Sequence, residues 1–259
     1  LEMRTPGDVL PGTSKPRTAP AVSSANVSIA MLRWARRTSP SSSVSTVIPP
    51  STACVISNGT WQWVLADHSS GSSQGNGIAV DVDGDLFVVG YFYLSVVLDS
   101  HGPSQTTDSG IYTGFLIKLF SNGTSQFGKK ADSADGDSCY FNDVAIDSDG
   151  NAYAAGNVQH GSCNIGSYSV AGPGMEKFVA KLNSTTETWQ WTAEYTDTSW
   201  GYALAITVDL NDNIYVTGTH SNNQNSVFIG KLDSSGSWLW TEDSVPGEGY
   251  GVVVDSAGE

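Results

Sequence analysis

Beyond residue 50 the chain alternates apolar and polar positions, and the alternation recurs in blocks: GIAVDVDGDLFVVG from Gly77, DVAIDSDGNAYAAG from Asp143, AITVDLNDNIYVTG from Ala205, and GVVVDSAGE from Gly251. Alternation of period two marks half-buried β-strands, and the Asp, Gly and Asn residues at the centre of each block mark a tight turn between two of them. A second block follows each full copy. It reads FLIKLFSNGTSQF from Phe115, FVAKLNSTTETWQW from Phe178 and FIGKLDSSGSWLW from Phe228, with an earlier partial copy, CVISNGTWQW, ending at Trp63. Each is again strand, turn, strand. One unit therefore contains four antiparallel strands.

The Asp that closes each first strand falls at Asp81, Asp147, Asp209 and Asp255, giving periods of 66, 62 and 46 residues. The distance from that Asp to the Gly ending the next strand (Gly90, Gly156, Gly218) is nine residues in every copy. A fixed core with variable connections is the mark of stacked units that cannot bury a hydrophobic face alone. Four-stranded units at this period fit the blades of a β-propeller better than a parallel β-helix, whose coils are shorter and lack two hairpin turns. The expected fold is all-β, a β-propeller fragment of about three to four antiparallel blades.

FIGKLDSSGSWLW followed by GYGVVVDSAGE resembles the SBBP family of β-propeller repeats. In that family a Phe-Val-x-Lys-Leu strand, an Asp-Gly turn, a Trp strand and a Gly-x-Ala-Val-Asp-x-x-Gly-Asn-x-Tyr-Val-x-Gly segment recur. The likeness covers about residues 54 to 259 and departs from the pattern at Cys54, which stands where Lys118, Lys181 and Lys231 stand, and at Phe127, which replaces the second Trp. It implies a propeller, commonly in secreted or cell-surface proteins, and no catalytic residues.

Six of the eight tryptophans form pairs at spacing two: Trp61 and Trp63, Trp189 and Trp191, Trp238 and Trp240. In a regular strand that spacing places both indoles on one face, and packing between sheets is the expected use.

Composition divides the chain near residue 50. The first 50 residues hold all five arginines and seven of the ten prolines, so 1–50 reads as a disordered or poorly packed segment and 51–259 as the repeat domain, incomplete at its C-terminus. That first segment is also a candidate for sequence outside the natural reading frame. Beyond it stand 6 lysines and 24 acids, a balance of −18, which opposes binding to nucleic acid or anionic membrane. The apolar run from Ile29 to Leu32 is too short for a signal core or a membrane span, so no membrane insertion is expected.

In such a blade the Asp-rich turns open on one face and the connections from second to third strand on the other. These connections run 25, 22 and 10 residues from closing Gly to next Phe, so variation and candidate binding surface concentrate on the second face. Its candidate ligand-binding residues are Tyr91, Tyr93, Tyr112, Tyr168, Trp200 and Tyr202, with the loops at 91–114 and 157–177 as the place to look. Cys139 and Cys163 also fall on this second face, one in the link entering the second repeat and the other in that repeat's long loop, and pair as a disulfide or remain two free thiols, while Cys54 has no partner. His68, His101, His160 and His220 share no ligand spacing, so no metal site and no cofactor is expected. Asp81, Asp83 and Asp85 suggest a calcium loop, but the copies DSDGN and DLNDN, without a later bidentate Glu, favour turn chemistry. The sequons at Asn58, Asn122 and Asn183 fall in hairpin turns.

The expected function is a non-catalytic propeller module of a secreted or cell-surface protein, binding protein or glycan or serving a structural role beside the remaining blades of the full-length protein. The alternative is an enzyme on the same scaffold, a lyase or glycan-active propeller with its site at the central channel. An enzyme should break repeat symmetry near the axis, and a scaffold should vary only its outer loops.

Overall fold

The computed structural model describes residues 72–93, 111–133, 137–195, 200–221 and 225–255, together with the backbone of strands Val27–Arg33, Ser51–Ser57, Thr60–Ala66, Ser95–Val96 and Gln105–Thr106. Among these residues every regular element is a strand. The first sheet joins β1 (Val27–Arg33), β2 (Ser51–Ser57) and β3 (Thr60–Ala66) in that order. The second joins β4 (Ser73–Val80), β5 (Leu86–Tyr93), β8 (Tyr112–Leu119) and β9 (Ser125–Lys130), with a two-stranded ribbon of β6 (Ser95–Val96) and β7 (Gln105–Thr106) inserted between β5 and β8. The third holds β10 (Asp132–Ser133), β11 (Ser138–Ile146), β12 (Ala152–Ile165), β13 (Tyr168–Asn183) and β14 (Thr188–Tyr195), and the fourth β15 (Trp200–Val208), β16 (Ile214–Ser221), β17 (Asn225–Leu232) and β18 (Trp238–Pro246). Apart from β1 and the backbone pairs just named, the expectations on residues 1–50, Cys54, His68, His101 and most of 94–110 lie outside the described residues. No closed ring of sheets forms among the described residues.

The expected four-stranded antiparallel meander is thus found three times. The sheets stack face to face, which explains why the middle strands β5 and β8 are buried on both faces rather than alternating. One seam packs Phe87, Leu116 and Phe127 of the second sheet against Phe141, Phe178 and Trp189 of the third. The next packs Tyr153, Val179 and Ala193 against Ile206, Val216 and Phe228 of the fourth.

The recurring Asp organises the turn and ties it to the third strand. Asp147 Oδ1 accepts the backbone N–H of Asp149 and Asn151 (3.1 and 2.7 Å), while Oδ2 accepts Asn151 Nδ2 and the Tyr153 hydroxyl. Lys181, from the Phe-x-x-Lys-Leu strand, reaches the same Oδ2 at 3.3 Å and lies 4.8 Å over the Tyr153 ring. Asp81 and Lys118 repeat the ion pair at 3.2 Å, with Lys118 over Phe87. Asp209 accepts the Asn211 and Asn213 amides in the same way, and Lys231 lies 4.7 Å over Tyr215. The carboxylates are occupied by turn amides and a lysine. Gly84, Gly150 and Asp212 take the left-handed turn position at φ 82°, 81° and 60°, a conformation that Asp, like Asn, tolerates better than most side-chain-bearing residues do.

Two features depart from the sequence expectation. First, the fourth strand carries a β-bulge: register slips between Lys181 and Leu182, which face Trp191 and Trp189, and equivalent slips occur at Lys118/Leu119, Lys231/Leu232 and Val55/Ile56. The extra residue cancels the period-two rule. Trp189 therefore packs on Phe141 in the seam with the second sheet, whereas Trp191 packs on Tyr153 in the seam with the fourth. The pair does not share a face.

Second, residues 157–177 are not an open loop. β12 and β13 continue as a ribbon through the pair Ile165–Tyr168, turning at Gly166 and Ser167. A slip between Gln159 and Gly161, with His160 at φ 57° and Gly161 at φ 94°, interrupts the ribbon. Cys163, Ile165 and Val170 at its tip are buried in the seam between the second and third sheets, and Gly166 lies against the Trp189 ring. β10 adds to it by pairing Asp132 with Asn164 and Ser133 with Cys163. Apolar residues on the insertion, invisible as a periodic run because of the bulge, carry it back into the core.

Candidate functional site

Each first strand also carries a bulge, at Gly75/Gly77, Phe141/Asp143 and Ala203/Ala205. The extra residues are Asn76, Asn142 and Leu204. Opposite each bulge stands the recurring glycine, which lies inside the second strand rather than at its end, because β5, β12 and β16 all continue past it. A Cβ on Gly90, Gly156 or Gly218 would collide with the carbonyl oxygen of Gln74, Tyr140 or Tyr202, respectively. The nine-residue spacing from Asp to Gly therefore places a side-chain-free residue where the bulged backbone presses in.

The bulged amides clasp successive sheets. Asn76 Nδ2 donates to the Phe141 carbonyl at 2.9 Å, and Asn142 Nδ2 donates to the Ala203 carbonyl at 2.8 Å. In the fourth sheet Leu204 occupies the position and can make no such bond. Asp143 adds a further link, its Oδ2 accepting the Ile206 N–H at 3.0 Å. Burial pushes the Asp143 carboxyl above its ordinary range, outweighing the hydrogen bonds from the Ile206 and Val144 backbone. The equivalent positions hold Gly77 and Ala205, so Asp143 is peculiar to one unit.

These three first strands converge on a cleft of about 610 Å³ at the sheet ends opposite the Asp turns, lined by Gln74, Asn76, Tyr140, Asn142 and Tyr202 from the first strands and by Tyr91, Asn157 and Gln159 from the second. Gln74 donates to Asn76 Oδ1 (2.7 Å) and accepts from the Tyr91 hydroxyl (3.0 Å), and Tyr140 donates to Gln159 (3.4 Å). Burial raises the Tyr140 hydroxyl above its usual value, with Tyr112, Tyr91 and Tyr202 adding to the effect, and a hydrogen bond to Ser138 opposes it. A second cleft of about 390 Å³ adjoins the first through Met175, Tyr202, Leu204 and Tyr250 and is bordered by Trp200.

Of the residues singled out from sequence, Tyr91 and Tyr202 line the main cleft and Trp200 the adjoining one. Tyr112 backs the wall, its ring 5.3 Å from Tyr91 and 5.8 Å from Tyr140, and Tyr93 lies behind it at 5.4 Å. Tyr168 is elsewhere, at the ribbon tip and packed against the seam core. Cys139 and Cys163 are disulfide-bonded with Cα atoms 6.1 Å apart, but Cys139 lies on β11 and Cys163 on β12 rather than in a link and a loop. His160 stacks edge-on against Trp200, while His220 is a buried strand residue 3.5 Å from Asp243. Among the described residues no group of three His, Cys, Asp or Glu side chains could hold a metal ion, and no helix is long and apolar enough to cross a membrane.

The residues the sequence pattern passed over are Gln74, Asn76, Tyr140, Asn142, Asp143, Asn157 and Gln159. Their signal was the short stretch before each anchor strand, Gln-Gly-Asn-Gly and Tyr-Phe-Asn-Asp, where an Asn falls at the same distance from the anchor Asp in two copies. In comparisons with known proteins, no family model and no curated protein matches this chain.

Proposed function

We propose that the chain is a non-catalytic β-propeller repeat module of SBBP type, belonging to a secreted or cell-surface protein, with its binding face at the sheet ends that carry the polar cleft. The observation that carries this reading is that three successive four-stranded sheets share one strand order, one bulge in the first strand, one in the fourth, and one Asp-centred turn, and stack face to face. Stacking in which each inner strand meets the next suits blades around an axis. The Cys139–Cys163 bridge supports an oxidising compartment. Repeat symmetry is broken at the cleft by Asn142, Asp143 and Asn157, as the enzyme alternative also expects, but the one carboxylate among them, Asp143, has its Oδ2 held by a backbone amide, which favours a binding over a catalytic role.

Electron cryomicroscopy of the natural full-length polypeptide tests the architecture: a closed ring of radial sheets is expected, and an extended stack without closure overturns it. A screen against polysaccharides tests the other half. Turnover abolished by Asp143→Asn in a folded protein would replace the binding module with an enzyme.

A further inference from the structure

The main cleft contains a buried donor whose purpose the fold does not supply. Asn157 is 1% exposed, its Oδ1 accepts Asn142 Nδ2 at 2.8 Å, and its own Nδ2 has no hydrogen-bond partner among the described residues. Leaving such a donor unmade is costly, and native structures tolerate it mainly where function uses it. Its counterparts in the other sheets, Tyr91 and Thr219, are different residue types, so the amide is not required by the repeat.

The surrounding chemistry narrows the ligand. Among the described residues no Lys or Arg lines the cleft, which disfavours an anion in a chain already strongly acidic. The one lining carboxylate, Asp143, is committed to the Ile206 amide, which disfavours a cation. What remains is amides and phenols, groups that offer donors and acceptors together and suit hydroxyls that do both. At the rim the Tyr202 and Trp200 rings are 40% and 46% exposed, flat apolar faces for the C–H side of a sugar ring. A volume of about 610 Å³ lies within the range of small-molecule sites. A peptide adding as an extra strand is less well served. The inner edges are interrupted by bulges, and the Phe141 and Ala203 carbonyls are taken by Asn76 and Asn142.

We propose that this cleft binds a short neutral oligosaccharide, with Asn157 Nδ2 donating to a ring or hydroxyl oxygen and Tyr202 stacking on a sugar face. The proposal rests on the binding-module reading but not on ring closure.

The test presents the folded chain with maltotriose, cellotriose, mannotriose and N,N′,N″-triacetylchitotriose, with trigalacturonate and a capped tripeptide as charged and peptidic controls. Saturation-transfer NMR and calorimetry are the readouts. At least one neutral saccharide should bind with Kd between about 10 μM and 1 mM. Asn157→Ala and Tyr202→Ala should each weaken it by about tenfold, the scale of one lost hydrogen bond or stacking contact. Lys129→Ala, at an exposed ion pair with Glu187 away from the cleft, should leave it unchanged. If Asn157→Ala fails to fold, the half-exposed Tyr202 still decides. No binding of any neutral probe at about 10 mM, preference for trigalacturonate or the peptide, or binding indifferent to both substitutions overturns the proposal. Saccharide binding by a protein imaged as an open stack would overturn the propeller and leave the cleft intact, whereas a closed ring without binding does the reverse.

Discussion

Breaking the Cys139–Cys163 bridge is the sharpest perturbation the fold offers, because the bond joins strand β11 to a ribbon that folds back into a seam. The cysteines are 24 residues apart, and the loop-closure model assigns a loop of that length about 3.5 kcal/mol of stabilisation through the unfolded chain. For a chain of this size that is a fall in Tm of about 7–14 °C. Reduction leaves both sulfurs in the core, so the comparison of oxidised and reduced protein isolates the cross-link from any cavity. The assay is thermal and urea unfolding with and without reductant, paired with limited proteolysis. Cuts within residues 161–174 should appear on reduction before cuts elsewhere, because the ribbon is held by the bridge and by its own buried tip, Ile165 and Val170. A loss under about 1 kcal/mol, or proteolysis that leaves the ribbon as protected as the sheets, would refute the reasoning. Thiol titration of the unreduced protein provides a direct check: of the chain's three cysteines only Cys54 should react under denaturing, non-reducing conditions.

Trp189→Ala should cost about 3–5 kcal/mol, because the ring is 8% exposed in a seam, whereas Trp240→Ala, 44% exposed on the outer face of the fourth sheet, should cost far less; equal losses in urea melts would contradict the bulged placement. Burial pushes the Asp147 carboxyl up, but hydrogen bonds from Asn151 and Tyr153 and the charge of Lys181 outweigh it and hold the pKa below the ordinary value. Its contribution is therefore fully present above the unfolded pKa of about 3.9 and is lost as pH falls through the folded value, so Asp147→Asn should flatten the acid limb of a stability–pH curve. The Asp143 pKa is shifted the opposite way, so Asp143→Asn should be neutral or slightly stabilising at pH 7 by circular dichroism melts, and a loss above about 2 kcal/mol would show that the charge itself is needed. Asn142→Ala removes the clasp to Ala203 and the bond to Asn157 and should cost about 1–3 kcal/mol in the same melts.

The sequence made the sheets legible because their strands obey period two and their turns use Asx chemistry, both local rules. Asp147, Tyr153 and Lys181 illustrate how far that went: each was assigned to its strand or turn, yet their convergence on one carboxylate depends on hairpin register, which no single block reveals. What the pattern hid was wherever the period failed. A bulge between Trp189 and Trp191 reverses one indole, and a left-handed pair at His160 and Gly161 lets strand residues read as loop. The cleft was half visible for the same reason. Tyr91 and Tyr202 stood out as aromatics flanking the blocks, while Asn76 and Asn142, which the pattern passed over, are the extra residues of bulges.

The two seams are built from the same positions with the sizes exchanged, and this fixes the order of the sheets. At the first seam the small partner belongs to the second sheet: a Cβ on Gly114 would stand 3.0 Å from the Phe141 ring of the third. At the second seam the third sheet supplies the large side chain at the position equivalent to Gly114, Lys177, which is 1% exposed, with Nζ 5.1 Å from the Tyr195 ring and 5.5 Å from that of Phe228. The fourth sheet yields space there: a Cβ on Gly201 would stand 2.8 Å from Lys177 Nζ, and Ala203 replaces the Phe141 of the neighbouring unit. A chain of interchangeable units could slip by one sheet, because the turns and ladders are alike. Here a slip that docked the second sheet directly on the fourth would set Gly114 against Gly201 and Ala203, small groups on both sides, and leave a void in a close-packed layer. The cleft is one-sided as well, because Asn142, Asp143 and Asn157 stand in a single sheet beside Leu204 and Tyr202 of the next.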